Sequence, residues 1–423
     1  MSIISSFKNN IFLRNTMFNY IGMIWMGGGI IVLIPFYIKL LGPHGWGIVS
    51  ACLSIQAMLL ILDAGCSQIM PRDIAKTNTP ENIFFAYFWI YIAVAFVGAV
   101  FLTSSAGWLA FRWFNAGHSS RELEFCIRLL AIQFLFQFAN NLNIGFWNGT
   151  QKQFNTNLSQ VCFFSCKHCV ALISLMVNPE PIVYIVSFAV VTCIEFIFNF
   201  LWITRNNIDL KGLIDNNILI QLIDLVKENY IFSFGVIVGV FVSQLDKILL
   251  SHYVETQLYG VYVIVAQLGL SFLQLQYPLM KSLLPALSSQ GEKSIFNVLS
   301  LKKMIIMLLV LAFPIGLTII FSSDILYLWT RNHYIANHGG GALALICLSV
   351  LINIPYTFIY TNLVRLNAGG IILFSNIISA LSMFILFHFI KGNNSISIGG
   401  MMWIAYASIS FSIGGIFLLM RAR

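Results

Sequence analysis

Six ionisable residues stand well inside long apolar stretches of this 423-residue chain: Lys167, His168, Glu195, Asp246, Lys247 and His388. A charge at the centre of a bilayer costs roughly 2.5–3.5 kcal/mol on the mildest scale, so such residues face a cavity or pair with one another. The lysines are suited to holding an anion. The acids Glu195 and Asp246, with Asp63 near the end of its own apolar stretch, are suited to carrying a coupling proton or cation. The competing reading is a set of structural ion pairs. Lys39, Arg72, Lys281 and Arg365 sit at the ends of apolar stretches. Cations there attract an anionic ligand, and Arg grips one bidentately; the plainer reading is contact with lipid headgroups.

Neutral polar residues accompany these charges at helical spacing. Gln133, Gln137, Asn141 and Gly145 share one face; Gln267, Ser271 and Gln274 share another; Asn353, Thr357 and Thr361 a third. Amides and hydroxyls donate and accept, so they suit sugar hydroxyls, or they lock helices to one another. Gly235, Gly239, Ser243, Lys247 and Ser251 recur every four residues and form a small, polar stripe carrying one cation. Asp246 points about 100° away from Lys247 around the helix, towards another element.

The elements that position these residues follow from the charge spacing. Hydrophobic residues make up 59% of the chain and charged ones 9%, the charges gathered between apolar runs of about 20 residues. The runs lie at 17–38, 47–67, 83–105, 125–147, 157–177, 181–203, 229–251, 257–281, 304–322, 342–363, 370–390 and 399–420. They are continuous rather than alternating, which speaks against a membrane β-barrel. The sequence predicts an all-α polytopic membrane protein with twelve transmembrane helices. Lys8 and Arg14 precede an apolar stretch longer than a signal-peptide core, with no small-residue cleavage site, so it is expected to be the first span.

With the N-terminus inside, fifteen Lys and Arg fall on the cytoplasmic side and six on the other. That bias places both termini in the cytoplasm. The net charge of +8 is then mostly topology, and no nucleic-acid partner is needed. The longest loop carries Ile214, Ile218, Leu222 and Leu225 at helical spacing, a pattern expected for an amphipathic surface helix. It divides the chain into an N-terminal six-helix bundle at 1–204, a linker at 205–228 and a C-terminal six-helix bundle at 229–423.

The halves look related. Gly47 pairs with Gly260, Pro71 with Pro285, and the stretch from Trp108 to Trp113 with that from Ile325 to Trp329. Six spans per half give parallel repeats, which place a cavity at their interface and permit alternating access. Pro35, Pro278, Pro314 and Pro355 interrupt spans, as pivots or as static kinks, and the glycine triplets at 27–29 and 339–341 serve close backbone approach or a flexible end.

Cys52, Cys66, Cys126, Cys162, Cys166, Cys169, Cys193 and Cys347 fall almost wholly in apolar spans, so no disulfide framework is expected. Cys162, Cys166, His168 and Cys169 resemble a metal-ligand set only superficially, since buried Cys acts as a small apolar residue. No metal and no cofactor are expected. A P-loop is absent, and no polar loop is large enough for glycosyl-transfer or polymerase chemistry, so the chain reads as a non-enzyme.

Several motifs resemble those of Wzx-type O-antigen flippases. Pro35-Phe-Tyr-Ile-Lys-Leu-Leu-Gly42 with Gly45-Trp-Gly47 is similar to their first-span exit. Leu62-Asp63-Ala64-Gly65 followed by Pro71-Arg72-Asp-Ile-Ala75 is similar to the end of their second span. Ser243-Gln-Leu-Asp-Lys-Ile-Leu-Leu250, Tyr259-Gly-Val-Tyr262, Pro285-Ala-Leu-Ser288 and Ile325-Leu-Tyr-Leu-Trp329 continue the likeness in span order.

The resemblance implies two six-helix bundles around a central cavity in a bacterial inner membrane. It implies movement of an undecaprenyl-pyrophosphate-linked oligosaccharide from the cytoplasmic to the periplasmic leaflet. Membrane lipids, a polysaccharide polymerase and a chain-length regulator would be its partners. On that view Lys39, Arg72, Lys167, Lys247, Lys281 and Arg365 meet the pyrophosphate, and Gln133, Gln137, Asn141, Gln267 and Gln274 meet the sugars. Asp63, Glu195 and Asp246 remain candidates for a coupling ion. The alternative is a cation-coupled multidrug or small-molecule antiporter of the same architecture. A cation exporter favours an acidic cavity, whereas Lys167 and Lys247 stand beside Glu195 and Asp246 here.

Overall fold

The computed structural model describes residues 11–76, 79–114, 117–207, 218–276, 298–366, 368–390 and 395–422. Their elements are helices, as a bilayer requires: with no water in the hydrocarbon, every backbone N–H and C=O must be satisfied within the segment. They are α1 (Ile11–Met58), α2 (Cys66–Lys76), α3 (Pro80–Trp108), α4 (Ser120–Gly149), α5 (Gln153–Val177), α6 (Pro181–Asn207) and α7 (Ile218–Tyr253). Then follow α8 (Thr256–Gln274), α9 (Val298–Ile320), α10 (Ser322–Thr330), α11 (His333–Arg365), α12 (Gly369–Ile390) and α13 (Ser397–Ala422).

Nine helices among the described residues are long and apolar enough to span a membrane, or ten with the bent pair α9–α10. Two features reconcile this with twelve spans. The first candidate, Ile21–Asp63, is 43 residues long, about twice the length that crosses a 30 Å core. It breaks at Gly42, whose φ of 68° and ψ of 172° only glycine adopts readily, and Pro43 follows. It therefore supplies the first and second spans. The fourth span is α4, a 30-residue helix carrying Gln133, Gln137, Asn140, Asn141 and Asn143 along its length. Its polarity keeps it off an apolarity criterion, and its packing inside the protein explains why that polarity is tolerated.

Large apolar side chains such as Val97, Val177 and Phe389 are 67%, 84% and 86% exposed. In water this would be an aggregation hazard, and in a bilayer it is the lipid-facing surface. Proline and glycine act locally. Pro80 and Pro181 open α3 and α6, where the missing N–H is harmless. The helices α9 and α11 continue through Pro314 and Pro355, and Pro278 lies outside the described residues. Gly339 packs against Val265 and Leu326, and Gly340 against Ser323, so this triplet serves close approach.

The chain forms two compact units. Unit 1 comprises Met1–Arg112 and Ala116–Ile237; unit 2 comprises Trp113–Asn115 and Val238–Arg423. The amphipathic segment expected between the bundles differs from expectation in one respect. Residues 218–228 do not form a helix of their own but run on into the seventh span as one 36-residue helix, α7. An uninterrupted helix has no proline or glycine before Gly235 to turn it. Residues 208–217 lie outside the described set.

Of the three expected repeat matches, one pairs two irregular stretches, while Gly47 and Gly260 lie within helices and Pro285 lies outside the described residues. The stretch Trp108–Trp113 leaves α3 through a π-helical turn at Leu109–Trp113. Its counterpart, Ile325–Trp329, lies in α10, bent 85° from the preceding helix.

Candidate functional site

Among the described residues, each unit holds a buried polar centre built on a charged pair. In unit 1 the pair is Lys167 of α5 and Glu195 of α6, with Nζ 2.5 Å from Oε2. The other carboxylate oxygen, Oε1, accepts from Asn140 Nδ2 of α4 at 3.0 Å. The network continues inward. Asn140 Oδ1 accepts from Asn199 Nδ2 at 3.0 Å and from Asn143 Nδ2 at 3.1 Å. Ser159 Oγ donates to Asn199 Oδ1 at 2.8 Å. Three helices thus supply an acid, a cation, three amides and a hydroxyl. Such a network neutralises its own charge and specifies how the helices fit. Two residues before Lys167 on α5, Ser165 Oγ accepts from Trp25 Nε1 at 3.0 Å, and the neighbouring His168 shares a 2.7 Å hydrogen bond with the Tyr37 hydroxyl.

In unit 2 the pair is Asp246 and Lys247 on α7, and its geometry is different. The Asp246 carboxylate is fully buried. Its Oδ2 accepts from Tyr262 OH of α8 at 2.5 Å and from Trp403 Nε1 of α13 at 2.9 Å. Its Oδ1 has no hydrogen-bond donor among the described residues, and the Lys247 ammonium stands 3.8 Å away. That is close enough for Coulombic attraction and too long for a hydrogen bond. Lys167 is therefore hydrogen-bonded directly to its acid, whereas Lys247 is not hydrogen-bonded to Asp246. Gly399 makes the arrangement possible: a Cβ there would lie 2.3 Å from the Tyr262 ring.

Asp63 is engaged differently again. Its Oδ2 accepts from Ser67 N at 3.1 Å and Ser67 Oγ at 2.7 Å, capping the first turn of α2. Its Oδ1 accepts from Tyr91 OH at 3.2 Å. Ala64, in the left-handed region at φ 46°, turns the chain between them.

The remaining sequence candidates scatter. Gln133 is buried in α4, Gln137 accepts from the Gln56 amide of α1, and Gly145 packs on Met70 of α2. That face is thus used for helix packing, and the network runs through Asn140 rather than Asn141. Gln267 is half-buried and Gln274 exposed on α8. Thr357 of the tenth-span stripe donates to Gln276 Oε1 at 2.5 Å. Lys39 is exposed on α1. The Arg72 and Arg365 side chains and the whole of Lys281 lie outside the described residues. The cysteines are free, and no cluster able to hold a metal ion occurs among the described residues. Sequence reasoning missed Asn140, Asn199, Tyr262 and Trp403. Only Tyr262 carried a signal, as part of the motif Tyr259-Gly-Val-Tyr262.

With this geometry in hand, the likeness to known proteins is informative. Residues 12–291 match the sequence profile described as polysaccharide biosynthesis protein. The chain belongs to that family. No curated protein matches it. The fold is similar to that of the lipid II flippase MurJ in an inward closed conformation, with a TM-score of 0.73 and 12% identity over 97% of this chain and 87% of that one. It is also similar to an inward-facing multidrug resistance MATE family transporter of the MOP superfamily, with a TM-score of 0.64 and 13% identity over 96% and 94% of the two chains. The eukaryotic MATE transporter AtDTX14 gives 0.58 and 10% identity over 97% of each. At these identities the likeness concerns the fold. This member of the polysaccharide biosynthesis family is a multi-pass membrane protein with the architecture of MOP-superfamily transporters.

Proposed function

We propose that this protein is a flippase that moves an undecaprenyl-pyrophosphate-linked oligosaccharide repeat unit, such as an O-antigen unit, across a bacterial inner membrane by alternating access. The observation that carries this reading is the family match across residues 12–291. The fold shared with a flippase of lipid II is consistent with it. In this proposal both termini are cytoplasmic, and a polysaccharide polymerase and a chain-length regulator act on the product.

Within the reading, Lys247 is the cation assigned to the pyrophosphate. Its ammonium is attracted to Asp246 without being hydrogen-bonded to it, so an incoming anion can take up its donors. Lys167, hydrogen-bonded to Glu195 at 2.5 Å, is assigned to holding unit 1 together in the resting state. Asp63, Glu195 and Asp246 are the acids proposed to carry a coupling proton or cation.

The test is deletion of the gene in a strain with no second flippase. Surface polysaccharide should vanish while single lipid-linked units accumulate on the cytoplasmic leaflet. Normal surface polysaccharide would overturn the reading. A second reading, a cation-coupled multidrug antiporter, draws on the likeness to MATE transporters. It requires increased drug sensitivity in the same strain with polysaccharide unchanged.

A further inference from the structure

Beside the Asp246 centre, wholly within unit 2, four helices enclose a cavity of about 220 Å³. Its wall includes Tyr356 and Tyr360 of α11, Trp403 and Tyr406 of α13, Asn376 of α12 and Ser243 of α7. The cavity is open because Gly239, one turn before Ser243, has no side chain. A Cβ built there meets no heavy atom within 4 Å. The glycine stripe of the seventh span, which sequence spacing suggests for close helix packing, here leaves a gap instead.

The lining selects a ligand class. Four aromatic residues present apolar faces and polar edges, Asn376 and Ser243 add an amide and a hydroxyl, and Val242 and Ile372 complete the wall with Gly239. A pyranose has the matching surface: an apolar C–H face to lay on an aromatic ring, and hydroxyls around its rim that donate and accept. The wall contains no Lys or Arg, so the cavity is not a pyrophosphate site. It contains no carboxylate either, and Lys247 lies one helical turn beyond Ser243, which disfavours a cation. At about 30 Å³ per water molecule, the volume of about 220 Å³ equals roughly seven waters, enough for one sugar ring and not for two.

The site is also preorganised. The Trp403 indole is fixed by its bond to Asp246 Oδ2, and its ring meets Tyr406 edge-on at 5.6 Å between centroids. A ligand on Trp403 therefore touches the residue that holds the buried carboxylate beside Lys247.

We propose that this cavity is a sugar-ring subsite that takes one pyranose unit of the lipid-linked oligosaccharide, a proposal that rests on the flippase reading above. The aromatic faces carry the ring, and Asn376 and Ser243 meet its hydroxyls. Occupation depends on the empty space in front of Gly239.

The test compares two lipids on the full-length protein in lipid nanodiscs, by native mass spectrometry. One is the lipid-linked repeat unit that accumulates in the deletion strain; the other is undecaprenyl pyrophosphate without sugar. The wild type should prefer the sugar-bearing lipid by about tenfold or more. Gly239→Leu, which fills the cavity, and Asn376→Leu, which removes the amide at similar volume, should each erase that preference. A preference that survives in a folded variant of either kind overturns the proposal. Binding of tetraethylammonium alone that Gly239→Leu abolishes, with both lipids unaffected, would make the cavity a cation cage and also overturn it. Failure of the wild type to bind either lipid strikes the flippase reading itself, whereas equal binding of both strikes only the sugar subsite.

Discussion

The Trp403 indole N–H donates to Asp246 Oδ2 over 2.9 Å, joining residues 157 positions apart in sequence. With Tyr262 on the same oxygen, two neutral donors from two other helices hold a fully buried carboxylate. Oδ1 is left to Lys247 at 3.8 Å. The acid is thus fixed by residues that are not its charge partner. Unit 1 divides the labour the other way, with Lys167 bonded directly to Glu195.

Lys247→Ala should abolish transport while leaving membrane abundance near normal, because Tyr262 and Trp403 still hold Asp246. Lys247→Arg should retain partial activity, since charge matters more than shape for a point cation. Abundance by immunoblot, read beside export of labelled polysaccharide, separates this from a structural role. An active Lys247→Ala variant at normal abundance would exclude a part in binding.

Lys167→Met should behave oppositely. Removing one partner of a buried pair costs about 3–5 kcal/mol, so abundance should collapse. Lys167→Met combined with Glu195→Gln should restore it, because the Gln carbonyl still accepts from Asn140. If the double variant is abundant and active, the pair is purely structural; if abundant and inactive, the charges act in transport.

Trp403→Phe removes one of two donors to Asp246 and leaves a buried acceptor poorer. The expected loss is about 1–3 kcal/mol, read as a lower thermal unfolding midpoint in detergent. An unchanged midpoint would mean that the indole bond contributes nothing to stability.

Gly399→Ala should destabilise by about 1–3 kcal/mol through overpacking, since the new Cβ falls 2.3 Å from the Tyr262 ring. Gly235→Ala, with nothing within 4 Å of its Cβ, serves as the control and should leave abundance unchanged.

Topology is tested by reporter fusions after Arg205 and after Arg423. Both should read cytoplasmic, and a periplasmic signal at either one contradicts the proposed arrangement of two six-span bundles.

The sequence by itself determined the class of protein and nearly all of its elements. Long apolar runs admit only internally bonded helices in a bilayer, and the charges that interrupt them mark the ends. It also singled out Lys167, Glu195, Asp246 and Lys247, because an ionisable residue inside such a run is conspicuous. It did not show which of them meet. Lys167 and Glu195 lie 28 residues apart, and Asp246 and Trp403 lie 157 apart. Only the packing of helices brings them together, and a one-dimensional pattern carries no information about which faces adjoin. Neutral partners were less legible still: Asn140 and Trp403 look like any other amide or aromatic in a span. The tertiary structure also decided what each glycine does. Gly399 admits a tyrosine ring and Gly239 faces open space, a difference set by the neighbouring helix and not by the residue itself.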